Sequence, residues 1–164
     1  MRHGEAEERA ATGDSARALT QRGIDDCCGL VETLAAGGAT WDVIISSSAR
    51  RARESAEYMA GGIATPPELD IREELNLAGT DTLLAALCSL PDEVSSVLMV
   101  AHNPGVHSLV VLLAGKSGSK LVRRAARDFP PGALARFVFE GESWTDLAPG
   151  AVGLRDLFIP RDMG

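Results

Sequence analysis

Aromatic residues and cysteines are scarce in this sequence: Phe, Trp and Tyr together make up 4% of 164 residues, and there are three cysteines. Cys27 and Cys28 are adjacent and Cys88 is distant, so no CxxC pair or zinc-like spacing arises. They read as buried apolar thiols on helices, which excludes a disulfide framework and a cysteine metal site. No stretch approaches the roughly 20 uninterrupted apolar residues that cross a bilayer. The opening residues Met1 to Glu5 lack the apolar core of a secretory signal. These absences lead to the expectation of a cytoplasmic protein with no membrane partner. Basic charge is also short, with 16 Lys and Arg against 23 Asp and Glu, a net charge of −7. That balance argues against general nucleic-acid binding. It also means that an anionic substrate needs a local cluster of arginines.

What is present suits a folded domain. Hydrophobic residues make up 45% and charged residues 24%, and the length fits one core, so residues 1–164 are expected to form a single domain. Apolar strands alternate with amphipathic helices, the pattern of an α/β layered domain. The spacing from Thr20 to Ala35 predicts a helix stopped by Gly37-Gly38, and another helix is predicted from about Arg50 to Met59. Val43-Ile44-Ile45 and Val97 to Ala101 read as strands, the second buried on both faces. Leu69 to Ile71 reads as a further short strand. A helix carrying Leu83, Leu84, Leu87 and Leu90 is expected to take Thr80 or Asp81 as its cap. Asn103 is placed as the cap, and Pro104 at the first position, of the helix that follows the second strand. Lys116 to Arg127 reads as a basic loop or short helix, and Phe137 to Phe139 and Leu154 to Ile159 as late strands.

Two junctions carry the functional signal. Val43 to Ser48 and Val97 to His102 both run from strand through polar residues to a helix start. Ligands of open α/β sheets bind beyond the carboxyl ends of strands, where helix N-termini favour anions. His3 is a candidate nucleophile for phosphorus, provided one ring nitrogen is neutral and the other is held. Arg2 beside it offers a planar fork of donors for phosphoryl oxygens. Arg51 lies in a first helical turn, against the dipole, which makes sense if an anion compensates it. Arg50 and Arg53 read instead as a solvated face paired with Glu54 and Glu57. His102 lies at the rim, and as a cation it would stabilise charge that develops in phosphoryl transfer. His107 is not at metal-ligand spacing and is placed on a helix surface. No cofactor and no metal are assigned.

Four motifs then occur in order: Arg2-His3-Gly4, Leu19-Thr20-Gln21-Arg22-Gly23, Ser46 to Arg53, and Ala101-His102-Asn103-Pro104-Gly105. Together they resemble the histidine phosphatase, or phosphoglycerate-mutase-like, superfamily. The His-Asn-Pro-Gly form and Phe129 to Ala135 resemble its short SixA branch. The resemblance implies a three-layer α/β/α fold with a mostly parallel central sheet. It implies His3 as the phosphorylated nucleophile, with Arg2, Arg51 and His102 completing the phosphate pocket and Arg17 as a further substrate contact. His3 is then expected neutral and His102 protonated, with their pKa values pushed apart. Relatives lead into the Arg-His pair with an apolar strand that does not precede Met1, so a first strand missing before Met1 is expected. Glu74 lies near the position of a general acid in larger relatives, and Glu73-Glu74 reads equally as a solvated pair. The implied activity is removal of phosphate from phosphohistidine on a protein partner, a phosphotransfer domain or phosphocarrier. A phosphatase for small phosphoesters and a non-catalytic phosphate-binding module are the alternatives.

Overall fold

A computed structural model describes residues 1–115 and 118–162. Its helices are α1 (Gln21–Ala36), α2 (Arg50–Gly61), α3 (Thr80–Cys88), α4 (Gly105–Ala114) and α5 (Lys120–Arg127). Its strands are β1 (Val43–Ser47), β2 (Glu68–Arg72), β3 (Val97–Val100), β4 (Leu134–Val138) and β5 (Gly153–Phe158). β1 pairs in parallel with β2 on one side and β3 on the other, while β4 and β5 form an antiparallel pair. Residues 1–3 run between these two sheets. Ala101 N–H donates to Met1 O, His3 N–H to Ala101 O, and Arg2 N–H to Ala133 O, at 2.9–3.1 Å. This puts the Arg-His pair beside the end of β3, where the resemblance places the end of an apolar strand.

Alternation along the strands builds the layers. Ile44, Leu98 and Val100 face a core closed by α1 and α2, with Cys27, Leu30, Ala52, Ala56 and Met59. Val43, Ile45, Met99 and Ala101 face the opposite core, closed by α3, α4 and α5 with Leu83, Leu87, Leu109 and Ala125. Successive strand side chains point to opposite faces, so a strand buried throughout, as β1 is, serves both cores. The expected three-layer α/β architecture is what forms.

Helix starts depart from expectation in two places. α3 is preceded by Gly79 without a side-chain cap, and Thr80 is its first residue. α4 begins at Gly105, after a cis Asn103–Pro104 bond. Asn103 does not cap it: its Oδ1 is buried without a hydrogen-bond partner, and its Nδ2 donates to Phe129 O at 3.0 Å. By contrast, Thr20 caps α1 as predicted, its Oγ1 accepting from Gly23 N–H. Of the predicted basic stretch, Lys116 and Ser117 lie outside the described residues, and α5 takes up the rest. His107 is half-buried rather than on the surface. Its Nε2 donates to Ala125 O at 2.8 Å, and its ring stacks on Phe129.

Gly23 shows why the Leu-Thr-Gln-Arg-Gly segment lies where it does. A Cβ there would stand 2.1 Å from Glu5 O, and only glycine lets the chain after His3 lie on the first turn of α1. Gly29, in the same helix, has open space around a built Cβ. Gly23→Ala is expected to destabilise the protein by about 1–3 kcal/mol. Gly29→Ala is expected to stabilise it by about 0.5–1 kcal/mol, and urea unfolding of both variants checks the pair.

Candidate active site

The rim formed by the ends of β1 and β3 gathers Arg2, His3, Arg51 and His102, which lie up to 100 residues apart in the chain. The rings of His3 and His102 stand 5.0 Å apart between centroids. Nδ1 of His3 lies 2.7 Å from Gly4 O. A carbonyl only accepts, so Nδ1 carries the proton and Nε2 keeps its lone pair. Gly4 is itself fixed, since its N–H donates to Ser55 Oγ at 2.9 Å, and that hydroxyl donates one helical turn back to Arg51 O at 2.7 Å. Arg51 and Ser55 share a face of α2, as their spacing requires.

Arg51 is 2% exposed. Its Nε donates to His3 Nε2 at 3.3 Å, its Nη1 to Asp14 O at 2.8 Å and its Nη2 to Asp14 Oδ2 at 3.0 Å. Asp14 lies in a 3₁₀ turn (Asp14–Ala16) that folds across the mouth of the site. Arg17 is bonded to this turn. It pairs with the Asp14 carboxylate at 2.8 Å and donates to Glu7 O, so it holds that turn in place. Arg2 donates from Nη1 to Phe129 O at 3.1 Å. The Nε of Arg2 and the Nδ1 of His102 are buried with no hydrogen-bond partner. Nε2 of His102 lies 2.7 Å from Ser47 Oγ, which also accepts from Ala49 N–H.

The electrostatics correct one expectation. Burial and the neighbouring cationic side chains hold His3 down to about 3, despite its bond to Gly4 O. His102 is also lowered, to about 4, chiefly by burial and then by the charge of Arg51. Both rings are therefore neutral in the unliganded protein, and the two values are not pushed apart. Asp14 is held below the usual carboxylate range by Arg51 and Arg17, against the cost of desolvation.

Arg50 and Arg53 pair with Glu54 and Glu57 along α2, as read from the sequence. With Ser15, Ser48, Glu73 and Asn76 they line an open groove of about 510 Å³ beside the site. Glu73, not Glu74, faces this groove, and Glu74 is exposed. Asp14 and the Phe129 carbonyl were not singled out from the sequence. Only the Asp-Ser-Ala-Arg run at 14–17, acidic and basic residues three apart, hinted at Asp14. The cysteines are free, and burial pushes the Cys27 thiol up to about 11. No group of metal-ligating side chains occurs among the described residues.

The profile of the histidine phosphatase superfamily (branch 1) matches residues 1–76. A SixA protein histidine phosphatase solved with tungstate superposes with a TM-score of 0.80 at 25% identity, over 100% of this chain and 97% of that one. A Nakamurella multipartitia protein provisionally named phosphohistidine phosphatase SixA superposes with a TM-score of 0.85 at 28% identity, over 98% of this chain and 93% of that one. Rv1276c, an uncharacterized protein of Mycobacterium tuberculosis, is 29% identical over 98% of this chain and 100% of its own length. The first 76 residues thus match the histidine phosphatase superfamily and the whole chain is similar to SixA phosphatases, which supports a phosphatase with a histidine nucleophile.

Two outcomes follow from the site. Asp14 competes with any anion for Arg51, so Asp14→Asn is expected to bind inorganic phosphate about threefold to tenfold more tightly, the scale of one partly screened charge. Competitive inhibition constants measure it. The second outcome concerns pH. In the unfolded chain His3 and His102 titrate near 6.5, and in the folded protein near 3 and 4. The unfolded state therefore binds more protons between these values, and stability is lost as pH falls from about 6.5 towards 4. His102→Gln is expected to flatten that slope by about 1.4 kcal/mol per pH unit, one proton's worth, in denaturant titrations at each pH.

Proposed function

We propose that the protein removes phosphate from a phosphohistidine presented by a protein partner, with His3 as nucleophile. His3 Nε2 attacks phosphorus, the bond from phosphorus to the substrate's imidazole nitrogen breaks, and the imidazole leaves once that nitrogen is protonated. Water then attacks the phosphorylated His3, releasing inorganic phosphate and restoring the ring. Arg51, now bonded to His3 Nε2, turns its donors to the phosphoryl oxygens and frees the lone pair for attack. Arg2 Nε and His102 Nδ1 supply further donors, and the phosphoryl charge favours the cationic form of His102 that burial and Arg51 disfavour in its absence.

The observation that carries the choice of substrate is the character of the mouth. The groove's arginines, Arg50 and Arg53, are already paired with glutamates, while Asp14 and Glu73 add carboxylates. Among the described residues lining this groove there is one seat for a phosphoryl group and no second set of unpaired cations for the rest of a polyanion. Carboxylates at the mouth suit a leaving group that is neutral or cationic, as imidazole is. The stretch between α2 and β3 holds β2, one 3₁₀ turn and α3, and α3 packs on α4 rather than forming a lid. An open site admits a side chain carried by another protein, whereas enzymes for small substrates commonly close over them. A cytoplasmic location fits such a partner, and no helix among the described residues is long and apolar enough to cross a membrane.

The test compares a histidine-phosphorylated phosphotransfer domain with p-nitrophenyl phosphate, using wild type and His3→Ala. The phosphodomain is expected to be preferred in kcat/KM by about 100-fold or more, the scale set by productive positioning. His3→Ala is expected to abolish both activities and the acid-labile phosphoenzyme of a rapid quench. A preference for the small ester would replace the phosphohistidine reading, and full activity in His3→Ala would overturn the mechanism.

A further inference from the structure

α5 is unlike the rest of the molecule. In a chain of net charge −7, its eight residues Lys-Leu-Val-Arg-Arg-Ala-Ala-Arg carry four cations and no carboxylate. Lys120, Arg123, Arg124 and Arg127 fall at i, i+3, i+4 and i+7, which is one stripe of a helix. All four are exposed, while Val122 and Ala125 point into the core. Arg124 pairs with Asp162. Among the described residues no ion pair joins Lys120, Arg123 or Arg127 to a carboxylate.

Helix stability accounts for only half of this stripe. Arg124 and Arg127 in the last turn complement the helix dipole, but Lys120 and Arg123 stand at its N-terminal end, where cations are unfavourable. Charges placed against the dipole, on a surface that is otherwise acidic, call for a different reason. Position supplies one. The stripe ends at Arg127, two residues before Phe129, whose carbonyl accepts from Arg2 and from Asn103 beside His102. A helix of eight residues is about 12 Å long, well within the footprint of an ordinary protein interface.

We infer that the exposed face of α5 is the docking surface for an acidic patch on the phosphohistidine-bearing partner, beside its phosphorylated residue. This rests on the phosphohistidine reading above and adds where the partner binds and with what charge. Complementarity of this kind acts mainly on encounter and register. It offsets the repulsion that an acidic partner meets from the remaining surface, so its loss appears in KM rather than in kcat.

The experiment uses a purified acidic phosphotransfer domain, phosphorylated on histidine with phosphoramidate, and p-nitrophenyl phosphate as the small substrate. The variants are Lys120→Glu/Arg123→Glu and Arg127→Gln, with Arg123→Lys/Arg127→Lys as the charge-keeping control. Glutamates at 120 and 123 suit the helix N-terminus, so the first variant keeps its fold, which its thermal unfolding verifies. Charge reversal is expected to raise KM for the phosphodomain about tenfold or more. It is also expected to flatten the fall of kcat/KM with added salt, leave turnover of p-nitrophenyl phosphate unchanged, and be absent in the lysine control. Equal KM and equal salt dependence in wild type and reversal variant would overturn the inference. So would a stripe whose reversal abolishes binding to RNA or anionic vesicles and leaves phosphodomain kinetics untouched. Failure of the wild type itself to turn over the phosphodomain, while it hydrolyses the small ester, would overturn the underlying reading and this inference with it. The two failures are thus told apart by the wild-type control.

Discussion

The buried guanidinium of Arg51 is the constraint around which the site is arranged. A cation taken out of water costs several kcal/mol unless its donors are met, and this one also stands in a first helical turn, against the dipole. Its partners are His3 Nε2, the Asp14 carbonyl and the Asp14 carboxylate. Each imposes something on the chain. His3 must be neutral with its proton on Nδ1, which Gly4 O accepts. The Asp14–Ala16 turn must lie over the mouth, and Arg17 holds it there. Ser55, bonded to the Arg51 carbonyl, fixes Gly4 and hence the backbone that follows His3.

This arrangement prepares the protein for an anion that arrives with its own charge. Neutral His3 and His102, two arginines, an unpartnered Arg2 Nε–H and an unpartnered His102 Nδ1 leave the interior short of negative charge. Asp14 supplies some of it in the resting molecule. On the proposed reading a phosphoryl group supplies more and replaces the exposed Asp14 carboxylate on Arg51. On that reading the cations within serve the chemistry, and the carboxylates at the mouth and the basic helix alongside serve selectivity.

The fold serves the site through two parallel strands that end at the same rim. β1 delivers Ser47 and the start of α2, and β3 delivers His102 and the Asn103 that reaches Phe129. Because both strands are buried on both faces, their ends are held by two cores at once. The close approach of Glu5 to Gly23 then sets the loop that follows His3.

Much of this was legible in the order of residues. Apolar period gave the helices and strands within a few positions, and Arg2, His3, Arg51 and His102 were marked by residue type together with the resemblance that the four motifs carry. The ion pairs of Arg50 and Arg53 followed from i, i+4 spacing alone. What escaped depends on contacts between distant segments. Arg51 meets Asp14 across 37 residues and Arg2 meets the Phe129 carbonyl across 127, and no local pattern records either pairing. His107 reads as a surface residue until α5 covers it. Asn103 reads as a cap until Phe129 claims its side chain. The protonation of His102 could not be read from its type, because burial and the field of Arg51 set it. The sequence by itself determined which groups could do the chemistry and which faces would be buried, since those follow from residue type and local period. Only the tertiary structure decided charge state, partner and access, because these depend on what packing brings within a few ångströms.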